Sequence, residues 1–149
     1  MAEKEIQIGI RLLKPVEHRL ELKQHANGTI IIDDAYNSNA KGAQMAVEVL
    51  GRFKNRKRIL VTPGIVELGD KTYEYNKIFG IQASSNCDYV ILVGQKQAKP
   101  IYDGLTEKGF DKEKIYIADN FDKASKKMKE LMDSNTVILL ENDLPDNYL

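Results

Sequence analysis

Asp33-Asp34 followed by Tyr36-Asn37-Ser38-Asn39 is the densest run of chemically capable side chains in this 149-residue sequence. A carboxylate at a strand end can accept ribose hydroxyls or coordinate Mg2+, and a tyrosine ring can stack on a base or simply be half-buried. Asparagine and serine can bind a ligand, although capping the first turn of a helix is the simpler reading of Ser38 and Asn39. Asp34 is the better ligand candidate, because ligands of open α/β sheets gather at the carboxyl ends of strands. Asp33 stays open between ligand and cap.

Three other places could contribute. In TPGIVELGD, Glu67 stands between Gly64 and Gly69, which either let the loop approach a ligand or form an ordinary flexible connection. Arg19, beside His18, could reach a phosphate or be an exposed edge arginine. The Lys126-Lys127-Lys129 cluster reads as a solvated face. His18 and His25 have no metal-ligand spacing, so no metal site is expected. Neither G-x-x-x-x-G-K-[ST] nor G-x-G-x-x-G occurs, which leaves the chain without a phosphate cradle of either common kind, and there is no nucleophile elbow.

These side chains need a scaffold, and apolar spacing supplies one. Asn27-Gly28 signals a hairpin turn between an imperfect strand over residues 17–23 and the strand Thr29 to Asp33. A helix beginning at residues 37–39 carries Ala43, Ala46, Val47, Leu50 and Phe53 on one face. Strands at 58–61, 89–93, 115–118 and 137–140 then alternate with helices striped by Tyr75, Ile78, Phe79 and Ala83, by Ala98, Ile101, Tyr102 and Leu105, and by Phe121, Ala124, Met128 and Leu131. Strands alternating with helices of this length predict parallel βαβ units. The expected fold is α/β: a Rossmann-like three-layer sandwich with a mostly parallel sheet and an initial antiparallel hairpin strand.

Composition narrows the functions. Twenty-two basic residues against 22 acidic ones give no general field for nucleic acid or an anionic membrane. The lone Cys87 excludes an internal disulfide framework and suits a reducing cytoplasm; it reads as a small buried residue near a helix end. No run approaches the roughly 20 apolar residues that span a bilayer, and the first residues do not form a signal peptide. A soluble, cytoplasmic protein binding a small molecule is expected.

The order P-V-E-H-R-L-E-L, N-G-T-I-I-I-D-D-A-Y-N-S-N, V-E-L-G and D-Y-V-I-L-V-G resembles the C-terminal domain of the Mur ligases, most nearly the MurF type that adds D-alanyl-D-alanine to the UDP-muramoyl-tripeptide of peptidoglycan. The resemblance runs from about Pro15 to Leu140. It implies that residues 15–149 are the third domain of an ATP-dependent amide ligase, with residues 1–14 a linker remnant from the domain before. The partners implied are a central ATPase domain, which would hold most of the ATP and Mg2+, and a UDP-sugar-binding domain. Residue by residue, Arg19 matches the arginine that reaches the ATP phosphates. Asp34 matches the acid that binds ribose, and Tyr36 and Asn37 match positions near the nucleotide. Asn39, Glu67 and Asn142 fall on the acceptor side. By this resemblance the fragment alone is inactive.

The likeness departs in three places. The family's Asn-Pro is Asn39-Ala40 here, and the acid of its G-D-M-x-E-L-G is Gly64. Its final K-G-S-R is Glu141-Asn142-Asp143-Leu144, so that a basic loop becomes acidic, which would repel a carboxylate-bearing acceptor. Two alternatives therefore stand beside the first reading: a stand-alone, non-catalytic binding module, and a three-domain ligase of the folylpolyglutamate or cyanophycin synthetase type.

Overall fold

The structure, a computed structural model, describes residues 20–34, 39–65 and 69–141. Its elements run β1 (Glu21–Gln24), β2 (Ile30–Asp34), α1 (Ala40–Gly51), β3 (Lys57–Thr62), α2 (Thr72–Ser84), β4 (Tyr89–Val93), α3 (Ala98–Glu107), β5 (Ile115–Ala118), α4 (Phe121–Leu131) and β6 (Thr136–Glu141). The alternation read from the sequence is present, with strand ends shifted by a residue or a few.

One six-stranded sheet has the order β1-β2-β6-β3-β4-β5. Strand β1 pairs antiparallel with β2, and every other pairing is parallel. The hairpin turns where the Asn-Gly signal lies. Gly28 takes φ +96°, in the left-handed region that glycine enters without strain. The Asn27 Oδ1 accepts the Thr29 N–H at 2.9 Å.

Alternate residues of the parallel strands bury on opposite faces. Ile30, Ile32, Leu60, Val90, Leu92, Val137 and Leu139 pack with α1, α2 and α3. Ile31, Ile59, Val61, Ile91, Ile138 and Leu140 pack with Ala124 and Met128 of α4. These are the three layers of the expected sandwich. Their arrangement follows from handedness: right-handed crossovers stepping toward β5 put their helices on one face, and the crossover returning to β6 puts α4 on the other.

Helices α2 and α3 touch at two glycines. A Cβ on Gly80 would stand 2.3 Å from the Ile101 carbonyl oxygen, and one on Gly104 would stand 2.1 Å from that of Lys77. The amino ends of the central strands are pinned by basic residues. Arg56 donates to the carbonyls of Gly28, Ser134 and Thr136, and Lys57 Nζ donates to the Leu131 carbonyl at the end of α4.

Two expectations need correction. Ile78, read as part of the buried stripe of α2, is 40% exposed; the buried face consists of Asn76, Phe79, Gly80 and Ala83. Lys127 is not simply solvated, because its ammonium lies over the rings of Tyr89 and Tyr116 at 5.9 and 5.4 Å.

Candidate functional site

The carboxyl end of β2 is built by three consecutive isoleucines that fix the strand in the core, so that its last residue, Asp34, emerges where the sheet stops. Asp34 is 3% exposed. Its Oδ1 accepts the backbone N–H of Leu20 at 3.0 Å, which joins the residue following Arg19 to the start of the Asp34–Asn39 run. Asp33, left open by the sequence, points the other way and forms an ion pair with Lys23 at 2.9 Å.

Asn39 is the N-cap of α1, where its Oδ1 accepts the Gly42 N–H at 2.7 Å. That geometry is the capping role favoured from pattern. Arg19, Tyr36, Asn37, Glu67 and Asn142 lie outside the described residues, so their expected roles rest on the sequence.

The neighbouring strand supplies a second acid. Glu141 ends β6 directly across from Asp34 in the parallel register, and it is fully buried. The reading of Glu141 as the first charge of an acidic loop is thereby corrected: it belongs to the central strand. Two buried carboxylates therefore sit side by side at this edge of the sheet.

The connection after β3 is held firmly at its near end. Gly64 adopts φ +92°, and its N–H donates to the Thr62 hydroxyl at 3.0 Å. Any side chain there would meet Gln97, whose Cβ lies 2.5 Å from an ideal Cβ position. One turn into α2, the buried Asn76 accepts the Ile65 N–H and donates to the Ile65 carbonyl, both at 2.8 Å. It also donates to the Thr72 carbonyl and to Gln97 Oε1. The flanks of the segment carrying Glu67 are thus tied to α2 and to the start of α3. Sequence reasoning missed Asn76, yet a signal was present, since it occurs three residues before Phe79 and seven before Ala83, on the face that must be buried. Among the described residues, no three of His, Cys, Asp and Glu form a group that could hold a metal ion, and no helix is long and apolar enough to cross a membrane.

The sequence model of the family described as "Mur ligase, glutamate ligase domain" matches residues 18–141. A UDP-N-acetylmuramoyl-tripeptide–D-alanyl-D-alanine ligase of Buchnera aphidicola (subsp. Acyrthosiphon pisum) is 39% identical over 83 residues, which are 56% of this chain and 18% of that protein. The chain thus spans about a fifth of that relative. Among solved structures, the MurF ligase of Thermotoga maritima in complex with ADP superposes with a TM-score of 0.68 at 24% identity, over 87% of this chain and 28% of the other. A MurF of Acinetobacter baumannii gives a TM-score of 0.69 at 23% identity, over 87% and 28%. The UDP-N-acetylmuramate-alanine ligase MurC of Thermotoga maritima gives 0.60 at 19%, over 90% and 28%. At these identities the structures establish a shared fold.

Proposed function

The chain belongs to the Mur ligase family, through its glutamate ligase domain, and on that premise we propose that it is the C-terminal domain of an ATP-dependent amide ligase of peptidoglycan precursor synthesis. The acceptor in this reading is D-alanyl-D-alanine and the donor is UDP-N-acetylmuramoyl-tripeptide, in a cytoplasmic enzyme. Residues 1–14 end a connection from a preceding domain, and residues 15–149 form the domain that closes over the nucleotide. ATP and Mg2+ are held mainly by the central ATPase domain, and the UDP-sugar by the first.

The reading is supported by the 3.0 Å bond from the Leu20 amide to Asp34. It joins the H-R-L and D-D-A-Y-N segments, fourteen residues apart, at the strand end where this family's nucleotide contacts are expected. Asp34 then accepts the ribose hydroxyls, and Tyr36 and Asn37 line the nucleotide beside it. Arg19 enters from the closing domain, its guanidinium fork matching phosphate oxygens and neutralising charge as the terminal phosphoryl group moves to the donor carboxylate. The acceptor amine, flanked by Asn39, Glu67 and Asn142, attacks the acyl carbon. The bond from that carbon to the phosphate oxygen breaks, releasing phosphate and a proton. Closure excludes water, which would otherwise hydrolyse the acyl phosphate.

The test is ligation by the full-length polypeptide, given ATP, the UDP-muramoyl-tripeptide and a panel of amino acids and dipeptides. Amide formation with D-alanyl-D-alanine, with ADP released in equal amount, is expected. Arg19→Ala should lower turnover at least tenfold at an unchanged melting temperature. The reading fails if no acceptor is ligated, or if the gene encodes no G-x-x-x-x-G-K-[ST] domain ahead of this one.

A further inference from the structure

The side-chain amide of Asn76 can be placed in only one way. Its Oδ1 accepts the Ile65 N–H, and its Nδ2 donates to the carbonyls of Ile65 and Thr72, all at 2.8 Å. Turned over, it would set an oxygen against two carbonyls. That constraint passes on to Gln97. Asn76 Nδ2 lies 3.3 Å from Gln97 Oε1, and only an oxygen can accept from it, so Gln97 Nε2 and its two hydrogens are turned away from the buried asparagine. The stem is held as well: Gln97 Cβ and Cγ lie 2.5 and 3.1 Å from an ideal Cβ position on Gly64. Gln97 immediately precedes α3, yet its side chain does not cap that helix. Among the described residues nothing accepts a hydrogen bond from its Nε2, and that nitrogen is not buried.

We infer that Gln97 is a specificity residue for the acceptor, its fixed amide donating from Nε2 to a carboxylate oxygen of the incoming molecule. The inference rests on the ligase reading above for there being an acceptor, but not for the direction of the amide. A glutamine without a role would be free to rotate, whereas this one is clamped at its stem and at its oxygen. Its place favours the acceptor over the nucleotide. Gln97 ends the connection after β4 and abuts the connection after β3, which carries Glu67, and β4 stands three strands from β2, roughly 14 Å from the strand of Asp34 at ordinary strand spacing. The chemistry favours a carboxylate. Two N–H donors pair with carboxylate oxygens, and a terminal amide in that position would set its own N–H groups against them. Gly64 stands where the resemblance puts an acid, and the stem of Gln97 takes up the room of that side chain. A charge that would repel a carboxylate is thus replaced by a donor.

Gln97→Glu separates the donor from the scaffold, because it keeps the stem and the oxygen facing Asn76 and replaces only the nitrogen. In the full-length enzyme it should raise KM for D-alanyl-D-alanine about tenfold or more, with kcat and KM for ATP within twofold of wild type. KM for the same dipeptide with a terminal amide should change less than twofold. Equal changes for the two acceptors, or no change for either, would overturn the inference. A rise in KM for ATP alone would place the donor on the nucleotide phosphates and overturn it too. A second arm needs no ligation and reads the amide itself by NMR in this chain, with Gln97→Met identifying its signals. The side-chain N–H protons of Asn76 should exchange slowly, and those of Gln97 within about threefold of the rate of free glutamine. Protected Gln97 protons overturn the donor whatever the ligation assay gives, whereas an inactive wild-type enzyme with freely exchanging Gln97 protons overturns the ligase reading.

Discussion

Asn76 and Ile65 are paired like two neighbours in a sheet: the side-chain amide of the first satisfies both main-chain groups of the second at 2.8 Å. With alanine at position 76, a buried donor and a buried acceptor lose their partners, each at a cost of about 1–3 kcal/mol. Asn76→Ala should lower the unfolding free energy by roughly 3 kcal/mol, read as a reduced urea midpoint at constant slope. Asn76→Asp should do no better, since it keeps the acceptor but turns charge toward the carbonyls of Ile65 and Thr72. A wild-type midpoint in either variant would show that the connection after β3 is held by something else.

The contact of α2 with α3 decides the sign of a substitution that usually helps. Glycine to alanine inside a helix gains about 1 kcal/mol of propensity. At Gly80 and Gly104, however, the added carbon would lie 2.3 and 2.1 Å from backbone oxygens of the facing helix. Forcing the helices apart opens a close-packed core, at a typical cost of about 1–3 kcal/mol or more. Gly80→Ala and Gly104→Ala should each lower the melting temperature, and an increase in either would refute the packing described.

Asn39 separates two roles by chemistry. Its cap bond to Gly42 is worth about 1 kcal/mol, so Asn39→Ala should destabilise by that amount, while Asn39→Ser and Asn39→Asp should restore stability. If Asn39 also touches the acceptor, Asn39→Ser will raise KM for the acceptor at normal stability. An unchanged KM leaves the cap as its function.

Acid should weaken the pairing of Arg58 with Asp88. Partial burial alone would raise the Asp88 pKa, but the Arg58 guanidinium and backbone N–H, bonded to its carboxylate at 2.9 to 3.1 Å, bring it below the usual carboxylate value. A depressed pKa in the folded state means that this stabilisation is complete above pH about 4 and is lost as pH falls through the lower, folded value. Asp88→Asn should cost about 1 kcal/mol at pH 7, as expected for a partly exposed pair. It should also flatten the decline in stability below pH 4. An equal decline in variant and wild type would assign acid sensitivity to other carboxylates.

Cys87 should be chemically silent in the folded chain. Burial pushes its thiol pKa well above the ordinary value, and the Sγ lies against the Ala83 carbonyl at 3.1 Å. The thiolate is the reactive form, so labelling at pH 8 should proceed only as fast as the chain opens and become immediate in denaturant. Rapid labelling under native conditions would contradict its burial.

How far the sequence could be read depended on whether a signal was local. Ile30–Ile32, Val90–Leu92 and the stripe of Ala124 and Met128 announce their elements because period and composition act within a few residues. Counting apolar residues alone placed Ile78 inside and passed over Asn76. The rule that selects a buried face holds for hydrogen-bonded polar residues as well, and Ile78 lies off the face centred on Phe79. Asp34 at its strand end and Asn39 at its helix cap were legible, because strand-end and capping logic act locally. The left-handed φ of +51° at Leu20 was not, because a leucine carries no local signal for that region, and its amide's partner, Asp34, is fourteen residues away. Nor was Glu141, whose burial follows from the central position of β6, a pairing that no local pattern encodes.

That central position also bears on how the molecule comes into being. Strands β2 and β3 follow one another in the chain but share no ladder; β6, made after every other strand, fits between them. Until it arrives, the hairpin and the β3-β4-β5 unit are two separate half-sheets, each with an open edge. Closing loops this long puts the decisive contacts late on the folding route and favours slow folding. It also leaves two sticky edges exposed during synthesis. A chain interrupted before Thr136 should accumulate as aggregate rather than as a smaller folded domain.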